Sequence, residues 1–125
     1  MNARTIVMIA AFSGMIGVAL GAFGAHGLAE ILEANQRSDT FRTANQYQMA
    51  HTLALLALGF APERLHGIWT RRAAWLFTGG ILLFSGALYA LAILNVGFFG
   101  AVAPLGGAAL IAGWACIGMA ARRMS

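Results

Sequence analysis

Four long runs of apolar residues constrain the fold of this 125-residue chain more than any other feature of its sequence. A helix needs about 20 apolar residues to cross a bilayer, and the first, third and fourth runs meet that length directly. The second run is long enough only if its helix begins near Asp39, with Ser38 or Asp39 as the N-cap. The sequence therefore predicts an all-α membrane protein in which four transmembrane helices form one bundle and a single domain, residues 1–125. The predicted spans are residues 5–25, 41–61, 73–94 and 98–121.

Composition also favours a membrane protein over a soluble one. Hydrophobic residues make up 60% of the chain and charged residues only 10%, whereas soluble domains carry about 25% charged residues. A net charge of +4 would suggest nucleic-acid binding in a soluble protein, but no basic stripe interleaved with aromatic residues is present. We therefore expect the lipid bilayer as the partner of this chain, and no nucleic acid.

The distribution of arginines predicts the orientation of the bundle. Six of the eight basic residues lie in the N-terminal flank, in the link between the second and third runs, or in the C-terminal tail: Arg4, Arg64, Arg71, Arg72, Arg122 and Arg123. With four spans, these three segments lie on the same side of the membrane. The positive-inside rule assigns that side to the cytoplasm, so we expect a multi-pass protein with both termini cytoplasmic.

Small residues are spaced for close packing of helices. In the first run, small side chains recur at every fourth position, at Ser13, Gly17, Gly21 and Ala25. Such a stripe lets another helix backbone approach closely, which is the main source of attraction between helices in lipid. Gly106 and Gly107 in the fourth run offer a similar surface. Packing within the chain and contact with a second copy of the chain are both consistent with this pattern.

The link between the first and second runs is too polar to cross a membrane, yet its residues are patterned. Leu28, Ile31 and Leu32 fall on one helical face, and Glu30 and Glu33 fall on another. This pattern predicts a short amphipathic helix that lies on the outer membrane surface between helices one and two.

Polar residues inside or beside the apolar runs are the candidate functional site. Such side chains do not face lipid cheaply, so we expect them to face other helices or a wet cavity in the outer half of the bundle. The predicted cluster comprises His26, Glu30, Asn45, Gln46, Gln48, His51, Ser85, Tyr89 and Asn95.

Three kinds of chemistry fit this cluster. The first is a structural hydrogen-bond network. The second is a proton or solute path centred on His51. The third is a haem or metal site with His26 and His51 as ligands. The third is the weakest, since no HxxxH or CxxCH motif is present and Cys116 is the only cysteine. We therefore expect no cofactor and no metal. No nucleophile elbow, phosphate loop or pair of intramembrane carboxylates is present, so we expect no enzymatic activity.

Four segments of the chain resemble a known family. They read GAFGAHGL, FRTANQYQMAHTLALL, FSGALYAL and APLGGAALIAGW, in this order. They resemble the small membrane proteins known as domain of unknown function 423, or transmembrane protein 256. The resemblance implies an inner-membrane protein in bacteria and implies no activity. The matching positions are Gly21, Phe23, Gly24, Ala25, His26, Gly27, Tyr47, His51, Tyr89, Pro104, Gly106 and Gly107.

The sequence as a whole predicts a small inner-membrane protein that works without catalysis. We expect it to act by packing, as a homo-oligomer or as an accessory subunit of a larger membrane complex. A small transporter or proton-coupled permeation unit that uses His51 is the alternative, and a haem or metal carrier is a weaker one.

Overall fold

Helices account for most of the chain. The computed structural model describes residues 1–124, and among these residues it contains no strand, which confirms the all-α prediction. The elements are α1 (Ala3–Ala25), α2 (Ala29–Ala34), α3 (Ser38–Gly59), a 3₁₀ turn (Glu63–Leu65), α4 (Ile68–Gly80), a π-helical segment (Ile81–Ser85), α5 (Gly86–Leu94) and α6 (Phe98–Ala121). The helix is continuous from α4 through the π-helical segment to α5, so it runs without a break over Ile68–Leu94.

Three helices are long and apolar enough to cross a membrane, namely Ala3–Ala25, Ile68–Leu94 and Phe98–Ala121. Helix α3 has 22 residues, which is also sufficient in length. Its first half is polar, because it contains Asp39 and Arg42 as well as several amides. Membrane crossing by α3, and with it the count of four spans, stays a prediction.

Helix α3 begins near the predicted position but is capped differently. The residue that precedes the helix is Arg37, which makes no side-chain capping bond. Ser38 and Asp39 lie inside the first turn, so the prediction that one of them is the N-cap is wrong. The carboxylate of Asp39 accepts instead from the guanidinium of Arg42 at 2.8 Å, one turn further along the helix.

The long helices are arranged side by side in the order α1, α3, α4–α5, α6. Helices α1 and α3 are antiparallel, since Gly24 lies against Phe41 while Gly59 lies against Val7. Helix α3 also packs on the π-helical segment and α5, and α6 packs along the whole of Ile68–Leu94. The core between them is centred on Leu55 and Phe77, both fully buried.

The small-residue stripe of α1 is occupied by α3 of the same chain. A Cβ atom added at Gly17 or Gly21 would meet Met49 or Asn45 of α3, respectively. At the C-terminal end of α1 the stripe continues to Gly24 rather than to Ala25, whose side chain is exposed. This face of α1 is therefore used for packing within the chain and is not free for a second copy.

The second close approach joins α6 to the π-helical segment. A Cβ atom added at Gly106 would lie 2.5 Å from the carbonyl carbon of Leu83 and 2.7 Å from Cα of Phe84. At Gly107 the added atom would meet only the Phe84 ring, at 3.6 Å. Because Gly106 has no side chain, the backbone of α6 contacts the backbone of the π-helical segment at this position.

Helix α2 is fixed over the end of α5. Its side chain Leu32 is 2% exposed and packs with Phe41 and Ala92, whereas Ile31, predicted on the same apolar face, is 42% exposed. The Asn35 amide donates to the carbonyl oxygens of Ala92 and Ile93, at 2.9 and 3.1 Å. These carbonyls end a helix and have no intrahelical partner, so Asn35 both caps α5 and anchors α2.

Candidate functional site

A chain of hydrogen bonds connects α1, α3 and α5. Asn45 Nδ2 donates to the carbonyl oxygen of Gly17 at 2.7 Å and to the Tyr89 hydroxyl at 3.1 Å. The Tyr89 hydroxyl donates in turn to Gln48 Oε1 at 2.6 Å. One phenol therefore joins the two amides of α3 to α5.

The same chain continues from Gln48 towards α1. Gln48 Nε2 donates to the carbonyl oxygen of Ser13 at 3.0 Å and lies 3.4 Å from the Ser13 hydroxyl. The hydroxyls of Ser13 and Thr52 are hydrogen-bonded at 2.6 Å. We call these side chains the five-residue network: Ser13, Asn45, Gln48, Thr52 and Tyr89.

Helical spacing places these residues together. Asn45, Gln48 and Thr52 are three and four positions apart and share one face of α3. That face meets the stripe of α1, where Gly21 leaves room for Asn45 to reach the carbonyl oxygen of Gly17. Gln48 and Thr52 are buried, at 4% and 5% exposure. The polar groups on this face of α3 are thus directed into the protein.

The five-residue network is suited to holding helices, and poorly suited to moving protons. Each amide nitrogen of Asn45 and Gln48 donates to a backbone carbonyl of α1. Side-chain amides have fixed donor and acceptor atoms and are not titratable groups. A relay of protons along the network would have to pass through both amides, so the arrangement favours a structural role.

His51 lies outside this network, on another face of α3. Its Nδ1 is 2.7 Å from the carbonyl oxygen of Tyr47, and its Nε2 is 3.0 Å from Nε1 of Trp114 on α6. An indole N–H only donates, so Nε2 accepts and the proton of the neutral ring is on Nδ1. Both ring nitrogens of His51 are therefore occupied, and the side chain connects α3 to α6.

Aromatic rings surround the buried imidazole. His51 is 6% exposed, with ring centroids of Phe77 and Trp114 at 5.4 and 5.8 Å in edge contacts. The Tyr47 ring is stacked on it at 6.0 Å. The imidazole is thus enclosed by aromatic side chains of α3, α4 and α6.

The remaining residues of the predicted cluster are dispersed. His26, Glu30, Gln46 and Asn95 are exposed. Ser85 is buried at 1% exposure, and its hydroxyl has no hydrogen-bond partner among residues 1–124. Of the nine predicted residues, the structure brings together Asn45, Gln48 and Tyr89 and places His51 in a separate site.

Two members of the five-residue network and one partner of His51 were missing from the predicted cluster. The spacing of small residues predicts only a packing role for Ser13, although a hydroxyl in an apolar helix also needs a partner. Thr52 follows Gln48 by one helical turn, and that spacing was a usable signal. Nothing in the sequence pairs Trp114 with His51, because that contact depends on how α6 sits against α3.

The two histidines considered as metal or haem ligands are far apart. His26 follows Gly24, which packs on Phe41, and His51 lies further along α3 by about 15 Å of helix rise. A shared zinc ion would require both nitrogens within about 2 Å of the metal. Among residues 1–124, no three His, Cys, Asp or Glu side chains are grouped as metal ligands.

Comparisons with known proteins identify relatives along nearly the whole chain. The family model described as a protein of unknown function (DUF423) matches residues 20–107. The chain is 40% identical over 124 residues to the UPF0382 inner membrane protein YgdD of Escherichia coli strain K12, covering 99% of this chain and 94% of that protein. It is 39% identical over 119 residues to the UPF0382 membrane protein YwdK of Bacillus subtilis strain 168, with coverage of 94% and 96%. No solved structure matches the chain.

Proposed function

This chain belongs to the DUF423 family of UPF0382 membrane proteins, and from that premise we propose that it is a non-enzymatic, multi-pass component of the bacterial inner membrane. It works by packing, as an oligomer or as an accessory subunit of a larger membrane complex. The observation that supports this proposal is that the buried amides of α3 and the ring nitrogens of His51 are engaged with other helices or with the backbone. Few buried polar groups of the protein therefore remain available to bind or react with a substrate.

The same observation supports crossing by α3, and so a bundle of four transmembrane helices. A polar helix enters a membrane when its hydrogen-bonding groups face other protein segments rather than lipid. Gln48, His51 and Thr52 are buried between helices, while the side chains exposed further along α3 include Leu53. Part of the low mean hydropathy of α3 therefore comes from polar side chains that face other helices.

Charges at one end of the bundle support cytoplasmic termini. The guanidinium groups of Arg72 and Arg123 lie 4.7 and 6.0 Å from the ring centroid of Trp69. An aromatic side chain next to arginines is typical of a membrane interface on the positively charged, cytoplasmic side. The opposite end carries α2 and the uncharged link at Asn95.

If the chain acts as a subunit, we propose that it contacts another protein through the outer faces of the two peripheral helices, α1 and α6. Phe12 and Met15 on α1 and Leu105 and Ile111 on α6 are all more than 60% exposed. These side chains face lipid in the isolated bundle, and a neighbouring transmembrane helix would replace that lipid.

A double-mutant cycle at His51 and Trp114 tests the structural role directly. We expect His51→Phe and Trp114→Phe each to lower the free energy of unfolding by about 1 kcal/mol, because each removes the same hydrogen bond. The double variant should lose clearly less than the sum of the two losses. The free energies come from SDS titration in mixed micelles, and His26→Phe, at an exposed histidine, is the control that should change little.

Proton flux into liposomes with trapped pyranine completes the test. We expect the wild-type protein, driven by a valinomycin potential, to acidify vesicles no faster than protein-free controls. A flux that the wild type supports and His51→Phe abolishes, with unfolding energies that do not change, would assign the permeation function to His51 and overturn the proposal.

A further inference from the structure

A groove between α1 and α4–α5 is an apolar cavity that the two hydrogen-bonded sites do not explain. It has a volume of about 340 Å³. Its walls are apolar side chains of both helices, including Phe12, Ile16 and Leu82. Its polar lining comes from Ser13, Gln48, Ser85 and Tyr89, together with Thr78 near one end.

The dimensions of the groove suit a single hydrocarbon chain. On α1 it extends from Ile9 to Leu20, which is about 16 Å of helix rise. Half of a bilayer core of about 30 Å is nearly the same length. Dividing the 340 Å³ volume by that length leaves a mean cross-section of about 21 Å², far below the roughly 80 Å² of a helix about 10 Å across. A hydrocarbon chain therefore suits this groove better than a helix of a second copy does.

Ser85 adds a polar requirement to this apolar groove. It lines the groove, is 1% exposed, and its hydroxyl has no hydrogen-bond partner in the described part of the chain. The other polar groups of the floor, at Gln48 and Tyr89, are bonded to each other. A buried hydroxyl without a partner is unfavourable, and an acceptor oxygen on a molecule in the groove would satisfy it.

We propose that this groove binds one lipid-soluble molecule that has a hydrocarbon chain and a carbonyl oxygen, with the Ser85 hydroxyl as the donor to that oxygen. A fatty acid and an isoprenoid-type quinone both have this chemistry. The inference rests on the proposed insertion of the bundle in the membrane, which the labelling experiment that closes the Discussion tests independently of any ligand.

Two glycines on the same helix provide a matched pair of variants. A Cβ atom added at Gly86 or at Gly79 meets no atom within 4 Å, so larger side chains fit at both positions. Gly86 lines the groove and Gly79 does not. Gly86→Phe should therefore fill the groove, and Gly79→Phe should leave it open.

Binding is measured by titrating delipidated protein in detergent with oleic acid in one arm and decylubiquinone in the other, with the thermal midpoint as the readout. We expect one of the two probes to raise the midpoint of the wild type and of Gly79→Phe. Gly86→Phe should bind that probe roughly tenfold more weakly. Ser85→Ala should bind it about fivefold more weakly, as expected for one lost hydrogen bond, and should not lower the midpoint of the protein without ligand.

The probe that raises the thermal midpoint identifies the class of ligand. A shift with oleic acid identifies an acyl-chain site, and a shift with decylubiquinone identifies a quinone site. The proposal is wrong if neither probe shifts the wild type, if Gly86→Phe responds as the wild type does, or if Ser85→Ala binds with unchanged affinity.

Discussion

Replacing Gly106 by alanine is expected to lower the free energy of unfolding by about 3 kcal/mol, at the upper end of the effects of overpacking. The new Cβ atom would lie 2.5 Å from the carbonyl carbon of Leu83 and 2.7 Å from Cα of Phe84. Both atoms belong to backbone, so a rotamer change does not relieve the contact. Helix α6 would have to move away from the π-helical segment, which would open the interface along Ile68–Leu94.

The neighbouring glycine is a stringent control for this variant. At Gly107 the added atom meets only the Phe84 ring, at 3.6 Å, an ordinary contact distance. Alanine is the better helix former by up to about 1 kcal/mol, so Gly107→Ala should be as stable as the wild type or more stable. SDS titration of both variants is the measurement, and equal losses at the two positions would contradict the packing described for α6.

The second large effect is expected at Gln48. Gln48→Leu keeps the volume of the side chain but removes the acceptor of the Tyr89 hydroxyl and the donor to the Ser13 carbonyl. We expect a loss of about 2 kcal/mol in the free energy of unfolding, since two buried polar groups lose a partner and interhelical bonds in membranes contribute about 0.6–2 kcal/mol each.

Gln46→Leu is the matched control for Gln48→Leu, because the same change is made two residues earlier on the exposed side of α3. It should leave the unfolding energy nearly unchanged. A second check uses Tyr89→Phe, which removes the same bond from the other partner. If Gln48→Leu proved as stable as Gln46→Leu, the five-residue network would not hold the helices together.

Much of the secondary structure was predictable because lipid imposes a length on each apolar run. The fourth predicted span, 98–121, has the bounds of α6, and the first differs from α1 only at its start. The third began five residues late, because Arg71 and Arg72 were assigned to the preceding link although the helix already starts at Ile68. Charges at a helix end do not show where the helix itself begins.

The polar residues were harder to group, because counting along a helix measures depth but not direction. Gln48 and His51 are at similar depth, and a spacing of three residues places them only about 60° apart around α3. Even so, Gln48 contacts α1 and α5, while His51 contacts Phe77 and Trp114. The neighbours of each face depend on the order of the helices in the bundle, which the sequence alone does not specify.

Some features have no sequence signal that single-chain reasoning detects. The π-helical segment Ile81–Ser85 lies inside an ordinary apolar run, at the place where Gly106 of α6 meets the backbone of Leu83 and Phe84. Gln36 adopts a left-handed backbone conformation, with φ of 55°, at the end of α2. The backbone amides of Gln36 and Arg37 donate there to the carbonyl oxygens of Glu33 and Leu32.

Crossing of the membrane by α3 is the central claim of this account, and cysteine labelling tests it most directly. In a Cys116→Ser background, single cysteines are introduced by Gln36→Cys before α3 and by Arg64→Cys after it. If α3 crosses, a membrane-impermeant maleimide added to intact spheroplasts should label the cysteine at position 36 and reach the one at position 64 only after permeabilisation. Labelling of both positions from the same side would show that α3 does not cross, and would contradict the four-span bundle.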